Sequence, residues 1–263
     1  MKQDRLSEKD IRSFLNKEYQ EIPICVYEET TSTNLLAKEA AQKIDGTVLF
    51  VAERQTAGRG RRGRSFLTVP GEMILMSLLL KPKLQAADAV LLTTAVCVAV
   101  RRAIEQVCGI STEIKWVNDL YYRGKKVCGI LTEAVTAQES GRVECVIPGI
   151  GINFNMPPDA FPKELREIAG ALYDGGESAV SRNELVAEIV NQIFAVLQDL
   201  QERSFMEDYR KHSMLIGQQI RIMNEPPEEA LVLDVNQNGG LVVQLTDGSC
   251  KTLTTGEVTV RKI

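Results

Sequence analysis

Two apolar runs, residues 47–53 and 73–80, are joined by a stretch whose chemistry decides between two fold classes. It contains Gly58-Arg-Gly-Arg-Arg-Gly-Arg64, which satisfies the G-x-G-x-x-G fingerprint of a dinucleotide-binding turn. That fingerprint has to open a helix and to be followed about 20 residues later by an acidic side chain. Here the chain continues as Ser65-Phe-Leu-Thr-Val-Pro-Gly71, closes on a Pro-Gly turn and re-enters an apolar strand. The segment is therefore a long strand-to-strand loop, and the Rossmann reading is rejected. Its glycines make it easy to reshape and costly to order, which suits a segment that closes over a ligand. Four arginines, with no acid after them until Glu72, stand out in a chain of net charge −4. Their planar donor forks match carboxylate and phosphate oxygens. The plainer reading is a solvated basic loop.

A second informative stretch is Lys115-Trp-Val-Asn-Asp-Leu120, followed by Tyr121-Tyr-Arg-Gly-Lys-Lys126 and Val127-Cys-Gly-Ile-Leu-Thr-Glu133. Arg123-Gly124-Lys125 reads as a tight turn, so Lys126 starts the returning arm of a hairpin. Trp116, the only tryptophan, reads as core. Lys115 and Lys126 are either solvated strand ends or, beside an Asn118-Asp119 corner, parts of an anion site. Asn118-Asp119 also fits an Asx turn. Ser32-Thr33 fits the N-cap of a helix over 33–44, whose free N–H groups also suit a polar ligand. Gly149 and Gly151 end a buried strand and allow either a bulge or close approach of a ligand.

The remaining pattern gives strands near 23–28, 112–116, 126–134 and 142–148, and helices over 7–19, 86–108 and 182–203. The last is opened by the Ser181-x-x-Glu184 capping box. Strands outnumber helices and several form hairpins, so the fold class is α+β with a mixed sheet. Residues 156–178 read as an irregular connection. Beyond Ile216, short alternating strands at 219–223, 230–235, 241–245, 251–253 and 258–261 describe a small β barrel. The expected division is 1–215 and 216–263, the second piece too small to stand without packing on the first.

Six scattered cysteines without a C-x-x-C pair fit buried thiols in a reducing, cytoplasmic setting better than a disulfide framework or zinc site. A single histidine, His212, argues against a serine triad or multi-histidine metal centre; it reads as a partly exposed structural residue. No signal peptide or membrane span is visible, and no direct metal motif.

Several of these segments, in this order, resemble the biotin protein ligases, which share a fold with lipoate ligases and class II aminoacyl-tRNA synthetases. The resemblance runs from about Thr30 to the C-terminus. It is carried by Ser32-Thr33-Asn34, the loop Gln55 to Arg64, Lys115-Trp-x-Asn-Asp119, Lys126 with Gly129-Ile-Leu and Glu133, and Gly149-Ile-Gly-Ile-Asn153. It implies a class II synthetase-type mixed sheet with an SH3-like C-terminal barrel. It also implies an ATP-dependent reaction in which biotin becomes biotinyl-5′-AMP, with Mg²⁺, and is passed to a lysine of a biotin carboxyl carrier protein. By resemblance, Ser32, Thr33, Asn34, Gln55, Gly58, Arg59, Arg61, Lys126, Gly129 and Gly149 hold biotin. Arg61, Arg62, Arg64, Lys115, Asn118, Gly151 and Asn153 hold the adenylate and phosphates, and Lys126, Arg59, Arg61 and Asp119 act in catalysis. Two positions depart from the pattern. Val117 stands where the family commonly has proline, which loosens that corner, and Phe66 stands where a tryptophan is often found to stack on adenine.

Some relatives carry an N-terminal winged helix-turn-helix, but only about 30 residues precede Ser32 here, without a basic recognition helix. The expectation is a ligase without DNA binding, with room for a homodimer through strand edges. Two other readings compete. A lipoate or octanoate ligase shares the fold but not the Arg-rich loop with Lys-Trp-x-Asn-Asp in this arrangement. A nucleic-acid-binding module requires exposed aromatics among basic residues, and 216–263 contains no Phe, Trp or Tyr.

Overall fold

The computed structural model of this chain describes residues 4–63, 66–81, 89–136, 143–176, 178, 180–223, 226–254 and 258–260. Of residues 62, 89, 90, 136, 259 and 260 only the backbone is described.

Ser7 opens α1 (Glu8–Phe14), its hydroxyl accepting from the Asp10 N–H. The helix expected over 7–19 stops at Phe14, because Leu15 is extended and Asn191 takes over the freed backbone. Its side chain accepts from the Asn16 N–H at 3.0 Å and donates to the Phe14 carbonyl at 3.3 Å. There follow β1 (Ile24–Thr30), α2 (Thr33–Ala41), β2 (Val48–Gln55), β3 (Met73–Leu79) and α3 (Ala89–Cys108). After α3 come β4 (Glu113–Lys115), β5 (Asp119–Tyr122), β6 (Lys125–Thr136), β7 (Val143–Asn153), α4 (Arg182–Gln198) and α5 (Phe205–Lys211).

The seven strands form one mixed sheet in the order β1-β2-β3-β7-β6-β5-β4, with β1 and β2 parallel and the other pairs antiparallel. Three further expected boundaries change. Helix 182–203 divides at Asp199, whose carboxylate accepts from the Phe205 N–H at 3.3 Å and starts α5. Helix α2 ends at Ala41, short of 44. Strand 142–148 continues to Asn153, because Gly149 and Gly151 stay in register with Ser77 and Leu75 on β3 and with Leu131 and Gly129 on β6. No bulge interrupts β7 at either glycine.

Side chains alternate between the two faces of each strand. On one face Ile74, Met76 and Leu78 of β3, and Val146, Ile150 and Ile152 of β7, meet α1, α3, α4 and α5 in the main core. Each fully buried aliphatic side chain there contributes about 1.5–3 kcal/mol. On the other face two smaller clusters lie apart. Ala37 of α2 packs with Val48, Phe50, Leu79, Cys145 and Ile147 at one end. Met73, Leu75, Met156, Phe161 and Ala171 gather at the other. Between them the strands present Ser77, Gly149, Gly151 and Gly129, leaving a trough across the middle of the sheet.

Arg182 fastens the first turn of α4 to the sheet. It is 1% exposed and donates to Glu53 Oε2 at 2.7 Å, to Glu53 Oε1 at 3.2 Å and to the Met73 carbonyl at 3.0 Å. The Leu6 N–H also donates to Glu53, at 2.8 Å. One buried carboxylate thus ties the N-terminal segment, β2 and α4 together.

The short strands expected after Ile216 are β8 (Gln219–Ile222), β9 (Glu228–Val235), β10 (Leu241–Leu245), β11 (Cys250–Leu253) and β12 (Val258–Val260). They form an antiparallel five-stranded sheet in the order β11-β10-β9-β8-β12. Its inner residues, including Ile220, Val232, Leu241 and Val258, belong to the same core cluster as the first sheet. Its β9–β10 turn is held by three donors. Trp116 Nε1 donates to the Gly239 carbonyl at 2.8 Å, Arg210 Nε to Val235 O at 2.8 Å and Arg203 Nη1 to Asn238 Oδ1 at 2.6 Å.

Candidate active site

The trough is the floor of a cavity of about 470 Å³. Its walls come from the start of α2, the end of β2 with the arginine loop, the β4–β5 corner, β6 and the connection after β7. Trp116 therefore serves both core and cavity, and Val258 reaches the rim from the second sheet.

One end of the cavity is polar and uncharged. Ser32 is the N-cap of α2 without a side-chain capping bond, and Thr33 turns to the sheet instead. Gln55 Oε1 accepts from the Thr33 N–H at 2.7 Å and from its hydroxyl at 3.1 Å. Asn34 Nδ2 donates to Glu133 Oε2 at 2.7 Å and to the Leu131 carbonyl at 3.3 Å. Ser77 Oγ lies 2.5 Å from Asn34 Oδ1 and 2.7 Å from Thr33 Oγ1. A Cβ on Gly149 would stand 2.0 Å from Asn34 Oδ1, so this glycine admits a protein amide, where close approach of a ligand was expected. Gly151 likewise admits the Phe66 ring, which a Cβ there would meet at 2.5 Å, whereas a Cβ on Gly129 would first meet the end of the Lys126 side chain, at 3.3 Å.

The other end is charged. Lys126 Nζ pairs with Asp119 Oδ1 at 2.8 Å across the β5–β6 hairpin. The Lys126 backbone is clamped as well, its N–H donating to Ile168 O and its carbonyl accepting from the Gly170 N–H, both at 2.9 Å. Asn118 Nδ2 donates to the Ile130 carbonyl at 2.7 Å, and Asn118 Oδ1 accepts from Arg61 Nη1 at 3.0 Å. The Asn118-Asp119 corner thus positions two cations. The corner is also fastened from behind, since the Val117 carbonyl accepts from Tyr209 Oη and Cys97 Sγ, each at 3.3 Å. Those two bonds hold the carbonyl of Val117, the residue that departs from the expected proline. Arg59 and Lys115 also line the cavity, with Lys115 Nζ 5.6 Å from the centre of the Tyr121 ring.

Burial, and then the Asp119 charge, push the Tyr121 phenol up to about 12, so at neutral pH it remains a protonated donor at the wall. Burial raises the Cys128 thiol more strongly than the Lys126 charge lowers it, so this cavity-lining thiol is not a ready nucleophile.

Of the residues expected from sequence, Ser32, Thr33, Asn34, Gln55, Arg59, Arg61, Lys115, Asn118, Asp119, Lys126, Gly129, Gly149, Gly151 and Asn153 line this one cavity. Gly58 does not line it. It stands behind Gln55, where a Cβ would lie 3.3 Å from Nε2. Asn153 Nδ2 donates to the Gly170 carbonyl at 2.7 Å. The Arg62 side chain and Arg64 lie outside the described residues. Sequence reasoning passed over Ser77, although it is the one polar residue in Met73–Leu80, and passed over the wall formed by Phe161, Leu165 and Ile168.

Residues 24–153 match the biotin/lipoate A/B protein ligase family. A biotin–acetyl-CoA-carboxylase ligase of Mycobacterium tuberculosis is 30% identical over 218 residues, covering 78% of this chain and 75% of that protein. The chain belongs to the biotin/lipoate A/B protein ligase family. The bifunctional ligase/repressor BirA of Bacillus subtilis is 40% identical over 191 residues, 72% of this chain, and the match spans 58% of that longer relative. Among solved structures, the biotin protein ligase of Aquifex aeolicus in complex with biotin and ATP superposes with a TM-score of 0.76 at 26% identity, covering 92% of this chain and 99% of that one.

Proposed function

We propose that this member of the family is an ATP-dependent biotin protein ligase, which activates biotin as biotinyl-5′-AMP and transfers it to a lysine of a biotin carboxyl carrier protein. The observation that supports it best is the division of a single cavity into a neutral hydrogen-bonding end and a cationic end. Biotin has that polarity, with a ureido head and a carboxylate tail. A plain alkyl acid such as octanoate would leave the Thr33–Gln55 end without partners.

In the first half-reaction the carboxylate attacks the α-phosphorus and pyrophosphate leaves. Negative charge gathers on phosphoryl oxygens and leaving group, and in this reading it is stabilised by Arg59, Arg61 and Lys126, all of which line the cavity. Mg²⁺ accompanies the nucleotide. Among the described residues no cluster of three carboxylate, histidine or thiol groups is placed to hold a metal, so the ion's partners would be chiefly phosphate oxygens. Before substrates arrive, Asp119 neutralises Lys126. When Lys126 turns to the anions, Asp119 is the carboxylate available to orient the acceptor lysine in the second half-reaction. In this reading the loop after Gln55 keeps water from the mixed anhydride, and the second sheet adds Val258 to the cavity lining.

The test is mass spectrometry of the purified protein with Mg²⁺, ATP and, separately, biotin, lipoate or octanoate. Biotinyl-adenylate with pyrophosphate is expected; a lipoyl- or octanoyl-adenylate alone would replace the substrate. Lys126→Ala should lose adenylation far more than biotin binding, and normal adenylation by that variant would overturn its role. Asp119→Asn should slow transfer from preformed adenylate, and an unchanged transfer rate would remove Asp119 from that step.

A further inference from the structure

Ser77 is fully buried, and its contacts put the hydrogens at the neutral end of the cavity in order. Asn34 Nδ2 is taken by Glu133 and Leu131, which turns Asn34 Oδ1 toward Ser77 Oγ at 2.5 Å. An amide oxygen can only accept, so the Ser77 hydrogen goes to it. Ser77 Oγ then faces Thr33 Oγ1 as an acceptor at 2.7 Å. The Thr33 hydrogen has two protein acceptors, Ser77 Oγ and Gln55 Oε1 at 3.1 Å, and either one leaves a Thr33 lone pair for a ligand. Gln55 Oε1 is fixed by the Thr33 N–H at 2.7 Å, which makes Nε2 the donor end of that amide. Thr33 and Gln55 both line the cavity.

We propose that Glu133, Asn34 and Ser77 form a relay that sets donor and acceptor polarity at the head of the cavity, so that it selects a neutral group presenting an N–H to Thr33 beside a C=O for Gln55. That is the edge of a cyclic urea. The inference rests on biotin being the substrate and makes Ser77 and Glu133 positioning residues, since they act through Asn34 and Thr33. With the relay intact, a ring oxygen in place of the N–H would set lone pair against lone pair. Without Ser77, the Thr33 hydroxyl can rotate and donate.

The experiment compares affinities for biotin and for its two cyclic carbamate analogues, each with one ureido N–H replaced by ring oxygen, by calorimetry on the full chain. The wild-type protein should reject at least one carbamate by roughly ten- to a hundredfold relative to biotin. Ser77→Ala should lower that ratio by about tenfold, whatever it does to overall stability. Glu133→Ala should lower it too, whereas Glu133→Gln, which keeps an acceptor for Asn34, should preserve it. This second pair decides the matter if Ser77→Ala does not fold. Biotin binding by the wild type with the same ratio in Ser77→Ala, or in Glu133→Ala and Glu133→Gln alike, would overturn the relay alone. No biotin binding by the wild type would overturn the proposed function and the relay with it.

Discussion

Replacing Gly149 with alanine isolates the neutral end of the cavity with a single methyl group. The new Cβ would stand 2.0 Å from Asn34 Oδ1 and 2.9 Å from Nδ2, distances no amide tolerates, so the Asn34 side chain has to leave. Leaving breaks its bond to the Glu133 carboxylate, worth about 1.5–3 kcal/mol for a charged acceptor, and the one from Ser77, worth about 1 kcal/mol. Glu133 is partly exposed and regains water, so the lower part of that sum, about 2.5–3 kcal/mol, is expected. Equilibrium urea unfolding measures the loss, with Gly46→Ala as the control, because a Cβ there meets nothing within 4 Å. The control should stay within about 0.5 kcal/mol of the parent. Biotin affinity, read by calorimetry, should fall by roughly tenfold or more in Gly149→Ala, since Thr33 and Gln55 lose the order that Asn34 imposes. A Gly149→Ala protein as stable as Gly46→Ala and binding biotin like the parent would refute the reasoning.

Arg182→Met leaves the buried Glu53 carboxylate without its cationic partner and should cost about 3–5 kcal/mol, with part of it recovered in the double variant carrying Glu53→Leu; thermal unfolding of the three proteins checks this. Trp116→Phe keeps an aromatic but smaller ring and leaves the Gly239 carbonyl without its indole donor, and should cost about 1–3 kcal/mol in the same measurement. Burial alone would raise the Asp208 carboxyl, but hydrogen bonds and charge from Arg102 and Arg101 hold it below the ordinary aspartate range. A carboxyl lowered by folding stabilises the protein above its unfolded pKa of about 4, and that stabilisation drains away as the pH falls through the folded value. Asp208→Asn should therefore flatten the stability–pH curve below about pH 4, as urea titrations across pH would show.

The sequence made legible what local chemistry dictates. The Arg123-Gly124 turn forced the β5–β6 hairpin, and both residues take positive φ there, 49° and 73°. The Ser181 cap and apolar spacing announced α4, and the alternation after Ile216 announced the second sheet. What stayed hidden depends on partners far along the chain. Leu15 leaves the helix because Asn191, on α4, claims its neighbours' backbone. Arg182 looks like an ordinary polar residue in the first turn of α4 until β2 supplies Glu53 from 129 positions away. Ser77 sits in an apolar run, and only the strand register shows that its face lies between two hydrophobic clusters, under Asn34. The glycines of β7 were legible as places of close approach, but not that Asn34 and Phe66 are what approaches.

The chain's only tryptophan has its ring on the cavity wall and its indole N–H on the turn of the second sheet. Its intrinsic emission is therefore a built-in, label-free signal with a single origin. Excited selectively at the red edge of the protein spectrum, it responds both to a ligand entering beside the ring and to the C-terminal strands lifting from the indole nitrogen. Adding ligand to a protein whose second sheet has first been loosened by mild denaturant would separate the two optically, and would show in real time whether filling the cavity also seats the strands above it.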